Sequence, residues 1–299
     1  MDSRHEEVAA SSSRVGNGAE TYQPSAGPQW AEQSLEAGTT LGDRFRLEVK
    51  LGHLADTELW RAFDLKLHRP VVITAMDARS PRTPEILTAA MQAAVATDSR
   101  FVRVLDAVSA RQPETTSFVV SEYAPGRTLC ELLATGPLSA LEAAWVVREI
   151  ADAMTPMHAQ GIFHERLSPE TIIITATGNV KIVGLLMEAV LNPHETEQAT
   201  SWSEREATDI VDMGKILYAC LVSRWPLGTP SAPASLAALP SGNTRHAQKT
   251  WGLAAAPADG HGWLTPRQVQ PGVSPALDVL CDQILSQQPR HDEVPVRSA

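Results

Sequence analysis

The apolar positions of this chain change period along its length. From Leu41 they alternate in short runs: "LGDRFRLEVKLG", then "ELWRAFD" (58–64) and "PVVITAM" (70–76), whose β-branched and aromatic content predicts strands. Residues 84–97, "PEILTAAMQAAVAT", switch to a helical period. Pro84 suits a first turn, and Ile86, Leu87, Ala90, Met91 and Ala94 fall on one predicted stripe. "FVRVLDAVSA" and "TSFVVSEY" restore strand character before Pro125-Gly126 breaks the pattern. Beyond the break the period is mainly helical. Residues 138–158 place Leu141, Ala144, Val147, Ile150, Ala151, Met154 and Met157 three and four apart, with Pro156 expected to kink or fray the last turn. "TIIITA" and "VKIVGLL" predict a hairpin around Thr177-Gly178-Asn179, and residues 209–223 and 274–286 predict two further helices.

Three stretches lack a period. Residues 1–40, punctuated by serine, glycine and proline, read as a disordered tail that buries too little surface to offset its ordering entropy. Residues 228–262 are rich in Pro, Ala, Gly and Ser and predict a flexible surface insertion. The last thirteen residues are polar, with no closing apolar element expected. The resulting outline is α+β. A small β-rich lobe with one helix spans 41–121, a connector spans 122–127, and a larger, mainly helical lobe spans 128–299.

Composition narrows the function classes. With 299 residues at 43% apolar, a sizeable core is available. The formal charge of −10 argues against a nucleic-acid binder, which needs a basic face, and against a polybasic membrane anchor. Cys130, Cys220 and Cys281 are isolated, so they predict a reducing compartment and ordinary core thiols rather than disulfides or zinc. No HxxxH or HExxH occurs, so no metal site is expected. No apolar run is long enough to span a bilayer, and the N-terminus has no signal-type segment, so a soluble cytoplasmic chain is expected.

The order of elements, strands with one helix followed by a helical lobe, resembles a protein kinase. "RFRLE…LWRAFDLKLHRPVVITAM", "FVVSEYAPGRTLCELLATGPLS", "MHAQGIFHERLSPETIIIT", "VKIVGLLM" and "TDIVDMGKILYACLVSRWPL" resemble, in order, successive segments of bacterial Hanks-type Ser/Thr kinases. The resemblance implies a bilobal fold with a nucleotide cleft near Gly52, Leu59, Val72, Glu122, Tyr123 and Ile173. It also implies structural markers at His164, Leu185, Asp209 and Gly214. At the stations where kinases carry charge, this sequence departs from the pattern. Thr74 stands at the strand lysine and Ala89 at its glutamate partner. Arg166 stands at the general-base aspartate, Ser168 at the phosphate-contacting lysine, Thr171 at the metal-binding asparagine, and Gly184 at the second metal ligand. A guanidinium cannot accept a hydroxyl proton. Leu54 and Thr57 replace two loop glycines. Glu165 replaces an arginine that grips an activating phosphate, so that style of activation would meet repulsion.

The resemblance therefore implies a pseudokinase, not an enzyme, with Mg²⁺ binding not expected and ATP binding doubtful. The combination of "RFRLE…LWRAFDLKLHRPVVI", "RFVRVLDAV", "GLLMEAVL", "LYACLVSRWPL" and "LTPRQVQPGVSPALD" is similar to the actinobacterial pseudokinases associated with the MviN-type lipid II flippase. That similarity implies protein partners in cell-wall regulation: a forkhead-associated domain protein, an active Ser/Thr kinase and the flippase, at the inner face of the plasma membrane. Two alternatives stay open: a weakly active rewired kinase, and a nucleotide or small-molecule sensor with Arg166 as its cation. Tyr218, Trp225 and Trp145 are expected in the core, while Trp251 and Trp263 lie in or beside the insertion. Ser11, Ser12, Ser13, Thr39 and Thr40 are candidate phosphate acceptors.

Overall fold

A computed structural model describes residues 35–54, 57–111, 115–193, 201–227, 252–259, 262–286 and 295–296. The first lobe contains β1 (Thr40–Leu41), β2 (Phe45–Leu54), β3 (Thr57–Asp64), β4 (Arg69–Asp77), α1 (Thr83–Ala93), β5 (Val104–Val108) and β6 (Thr116–Glu122). The strands form one sheet in the order β1-β2-β3-β4-β6-β5, antiparallel throughout. Period-2 alternation buries Trp60, Ala62, Val71, Ile73, Ala75, Phe118 and Val120 on one side. The other side carries Leu59, Thr74 and Val119 in one cross-strand row.

Ordered chain begins before the expected boundary at 41. The Gly38 amide donates to the Leu47 carbonyl (2.8 Å) and the Leu47 amide to the Thr39 carbonyl (2.8 Å), so the end of the expected tail is tied to β2. The rest of that tail lies outside the described residues.

The β3–β4 turn is held by one buried carboxylate. Arg44 donates to both Asp64 oxygens (2.9 and 2.7 Å), and the Lys66 and Leu67 amides donate to Oδ1 (3.0 and 3.1 Å). The Arg44 hydrogen bonds outweigh burial and lower the Asp64 carboxyl from an ordinary 3.8 to about 2. A depressed folded-state value means that this stability is fully present above the unfolded aspartate's range and is lost as pH falls through about 2. Urea unfolding from pH 5 down to pH 2 is expected to show the wild type losing more stability than Asp64→Asn, with the difference confined below about pH 4. Parallel curves for the two proteins would sink this assignment.

After residues 123–125 come β7 (Gly126–Thr128), α2 (Leu129–Leu133), α3 (Ala140–His158), β8 (Ile172–Thr175), β9 (Val180–Ile182), α4 (Met187–Leu191) and α5 (Trp202–Val222). The chain continues through β10 (Arg224–Trp225), β11 (Ala254–Ala255), β12 (Ala258–Asp259), β13 (Gly262–Trp263), α6 (Pro266–Val269) and α7 (Pro275–Leu285). α2, α3 and α5 each open with a reciprocal capping box: Thr128 with Glu131, Ser139 with Glu142, and Ser201 with Glu204. α3, α5 and α7 pack around Ile150, Met154, Ile216, Leu217, Tyr218 and Cys281. Pro156 is accommodated inside α3.

Several expected faces are corrected. On α1 the buried residues are Thr83, Ile86, Ala89, Ala90 and Ala93, whereas Met91 is 60% exposed, because the sheet takes the face one position round from the expected stripe. On α3, Leu141 is 84% exposed while Ala143 and Val146 are buried. Tyr218 and Trp225 are buried, but Trp145 is 37% exposed on the same α3 face as Leu141. Cys220 and Cys281 are buried as expected of core thiols, and burial pushes the Cys220 thiol up to about 12; Cys130 is only half-buried.

The expected flexible insertion at 228–262 is corrected at its end. Leu253 is buried in the main core, and β11 pairs in parallel with β10, so 252–259 belongs to the packed lobe. Residues 228–251, Trp251 included, lie outside the described residues. Near the C-terminus the Val296 amide donates to the Gln283 carbonyl (3.3 Å) and its side chain packs on the core, so an apolar residue does close this end. Among the described residues no helix is long and apolar enough to cross a membrane.

Backbone pairing, not only the connector, joins the lobes. The Val102 amide donates to the Ile182 carbonyl (2.8 Å) and the Ile182 amide to the Arg100 carbonyl (2.7 Å). Lys181 reaches the Ser99 carbonyl (2.8 Å) and the Glu122 carboxylate (3.3 Å).

Candidate functional site

The segment between α3 and β8 is organised by one buried acid. Asp209 of α5 is 0% exposed; its Oδ2 accepts from the His164 amide (2.9 Å) and lies 2.8 Å from His158 Nε2, and its Oδ1 accepts from the Glu165 amide (2.6 Å). These bonds hold Glu165 in the left-handed region (φ 59°), a conformation that a non-glycine residue keeps only where its surroundings enforce it. His164 is fully buried, with Nε2 2.9 Å from the Val183 carbonyl. The segment is thus clamped to α5 below and to the end of β9 above.

Glu165 does not face an open surface. Arg205 of α5 donates Nε to its Oε1 (2.6 Å), and the same guanidinium stacks 4.8 Å from the Phe163 ring. Trp202 meets Phe163 edge-on (5.4 Å), and a Cβ added at Gly161 would lie 2.7 Å from the Trp202 ring. Sequence reasoning missed Arg205, Trp202 and Asp212. A legible signal for Asp212 was its i+3 spacing from Asp209, which places both acids on the face of α5 turned to this segment. Both are buried, and Asp212 accepts from Lys215 (2.9 Å).

The six positions singled out for their departures are placed as follows. Thr74 is buried on β4, opposite Leu59 and Val119. Ala89 is buried on α1 in a cluster with Met76, Ile86, Ala90, Val119 and Met187 of α4. The Thr171 hydroxyl is tied to the Ser168 backbone: the Ser168 amide donates to it (2.9 Å), and it donates back to the Ser168 carbonyl (3.0 Å). Gly184 has φ 83°, and a Cβ there would lie 3.1 Å from the Glu188 side chain. Arg166 is half-buried, and burial lowers its pKa against the opposing fields of Asp212, Glu188 and Glu165.

The expected cleft residues divide into two groups. Gly52 pairs with Leu59, and Leu59 with Thr74, on strands whose side chains share one face; Leu59 is partly exposed and Val72 half-buried. Ile173 of β8 pairs with Thr128 and Lys181 across the small sheet. Glu122 is committed to Lys181, and Tyr123 lies near the Arg61 guanidinium, which is bonded to Glu48. Leu185 is buried in the larger core, and Gly214 lies where a Cβ would come within 2.4 Å of Ile284 on α7.

α4 closes the rear of this region against α1. Met187, Leu186, Val190 and Leu191 pack on Ile86, Leu87, Ala89 and Ala90, and Arg82 donates to the Leu191 carbonyl (2.8 Å) and to the Val190 carbonyl. Among the described residues no three His, Cys, Asp or Glu side chains gather as a metal ion would require.

No family model matches the chain. It is 29% identical over 220 residues to the serine/threonine-protein kinase PknB of Mycobacterium tuberculosis strain H37Rv, a match covering 66% of this chain and 35% of that protein. It is 27% identical over 226 residues to the serine/threonine-protein kinase PknL of the same strain, covering 66% of this chain and 56% of PknL. The PknB of Mycobacterium leprae is 28% identical over 211 residues, 62% of this chain and 33% of that protein. This chain has a protein kinase-like fold. Its curled sheet and α1 form the smaller kinase lobe, residues 123–125 the connector, and the helices the larger lobe. The match spans from about a third to just over half of these relatives' lengths.

Proposed function

We propose that this kinase-like domain is a pseudokinase that regulates or docks rather than transferring phosphate. One observation carries the reading. The contact of α1 with the sheet, where a kinase sets a lysine–glutamate pair on the nucleotide phosphates, is apolar here: Ala89 is packed in one cluster with Met76, Val119 and Met187, and Thr74 lies opposite Val119. Phosphoryl transfer depends on positioned charge, and an apolar wedge supplies none.

The remaining stations support it. The Thr171 hydroxyl is spent on the Ser168 backbone amide and carbonyl, Gly184 has no side chain to offer a cation, and Arg166 cannot act as a base. These residues do not fit Mg-ATP. The Glu165–Arg205 pair neutralises the arginine that would otherwise read a phosphate beside the segment. Relatives with the printed activity of Ser/Thr kinases, together with the resemblance to the flippase-associated pseudokinases, favour a role in cell-wall regulation. There the chain would be a substrate of a true kinase and a ligand of a forkhead-associated domain, close to the lipid II flippase at the inner membrane face.

The test is a phosphotransfer assay with labelled ATP and Mg²⁺ or Mn²⁺. Alone, the chain is expected to incorporate no phosphate; with an active bacterial Ser/Thr kinase domain added, it is expected to become labelled and then to retain a forkhead-associated domain. Labelling without the added kinase would overturn the non-catalytic reading. Absence of labelling with it would remove the phospho-dependent partner.

A further inference from the structure

Among the described residues with limited exposure, Arg166 is the arginine for which no hydrogen bond and no ion pair is formed. Its Nε is shut off from solvent and meets no acceptor. Every other partly buried guanidinium is engaged: Arg44 by Asp64, Arg61 by Glu48, Arg82 by two carbonyls, Arg100 by Asp98 and Glu149, Arg205 by Glu165. A buried donor without a partner costs stability, and folded proteins supply one from protein, water or ligand.

The three acids whose fields reach Arg166 hold other bonds. Glu165 is bonded to Arg205, Asp212 to Lys215, and Glu188 to Asn192. The neighbourhood is therefore close to neutral, with three cations against three carboxylates. Arg166 is one of those three cations, so a bound monoanion leaves the neighbourhood one charge negative, the smallest excess that any anion can bring. A triphosphate would meet the field of all three acids.

We infer that Arg166 is the anchor of a binding site for a small monoanionic carboxylate, held by the planar fork of the guanidinium at the former catalytic position. Two-oxygen anions match that fork in a bidentate way, which ammonium groups do not reproduce. The inference rests on reading the site as non-catalytic, since a base at this position would exclude it.

The test uses the whole chain in HEPES at constant chloride. The Arg166 Nε–H correlation in a ¹⁵N spectrum is expected to shift saturably with acetate, and more strongly with benzoate. Thermal unfolding of the wild type is expected to rise with the same acids, and this rise is expected to vanish in Arg166→Met. Without added acid, Arg166→Met is expected to melt about 2–4 °C higher than the wild type, because an unpaired desolvated cation has been replaced by an apolar chain of similar reach. A resonance that does not move, or an Arg166→Met protein that melts lower in the acid-free buffer, would overturn the site. So would metal-free ATP shifting the melt at lower concentration than the carboxylates. Autophosphorylation in the same wild-type samples would instead sink the non-catalytic reading, and the resonance shift would still report on the anion.

Discussion

Asp209→Ala is expected to destabilise the domain by about 3–5 kcal/mol, the range for removing one partner from a buried charged network. The carboxylate is fully buried, and two backbone amides, His164 and Glu165, have no replacement acceptor once it is gone. His158 loses its contact as well. Glu165 is then released from its left-handed backbone, so its ion pair with Arg205 loosens. Asp209→Asn keeps one acceptor oxygen and should recover part of the loss. Urea unfolding of the three proteins measures this directly; a loss below about 1 kcal/mol for alanine would show that the segment is held by other means.

Gly126→Ala is expected to cost about 3 kcal/mol, at the upper end of overpacking. A Cβ at Gly126 would lie 2.4 Å from the Ile174 carbonyl oxygen, 2.9 Å from its carbon and 2.8 Å from Ile173 Cγ2. Two of those atoms are backbone, so relief requires β7 and β8 to separate where Gly126 faces Thr175. Gly52→Ala is the internal control, since nothing lies within 4 Å of that position. Equal melting temperatures for the two variants would contradict the close approach. The contrast also reverses the sequence-based weighting: Gly52 drew attention as a phosphate-loop residue, while Gly126 looked only like a break in pattern.

The architecture was legible because the periods are clean where tertiary contacts merely reinforce them. β3 buries alternate residues as its composition demands, β4 buries the continuous run from Ile73 to Met76, and the β8–β9 hairpin turns at Thr177-Gly178-Asn179. The start of α5 was missed by several residues because its first turns, Trp202 to Thr208, are largely polar; the signal there was the Ser201–Glu204 capping box. The faces of α1 and α3 were misread by a position because apolar character alone does not say which stripe a sheet or helix takes. Met91 and Leu141 are apolar and exposed.

The site was legible as a list of substituted positions and hidden as a set of contacts. Thr74, Ala89, Arg166 and Gly184 were marked by residue type at a known station. The pairing of Glu165 with Arg205 joins residues forty apart in sequence. The wedge of Met187 against Ala89 joins residues nearly a hundred apart, and no period predicts either.

The pairing of residues 100–102 with Ile182 bears on how this chain can be dissected. A gene cut at the three-residue connector, which looks like the natural place, would leave the Ile182 amide and carbonyl without the Arg100 and Val102 backbone groups that they bond. It would also strip Phe101 from its bridge to Ile182, and Arg82 from the carbonyls at the end of α4. Expressed apart, each half would carry the other's unfinished edge into solvent, so the halves are co-folding parts of one cooperative unit rather than portable modules.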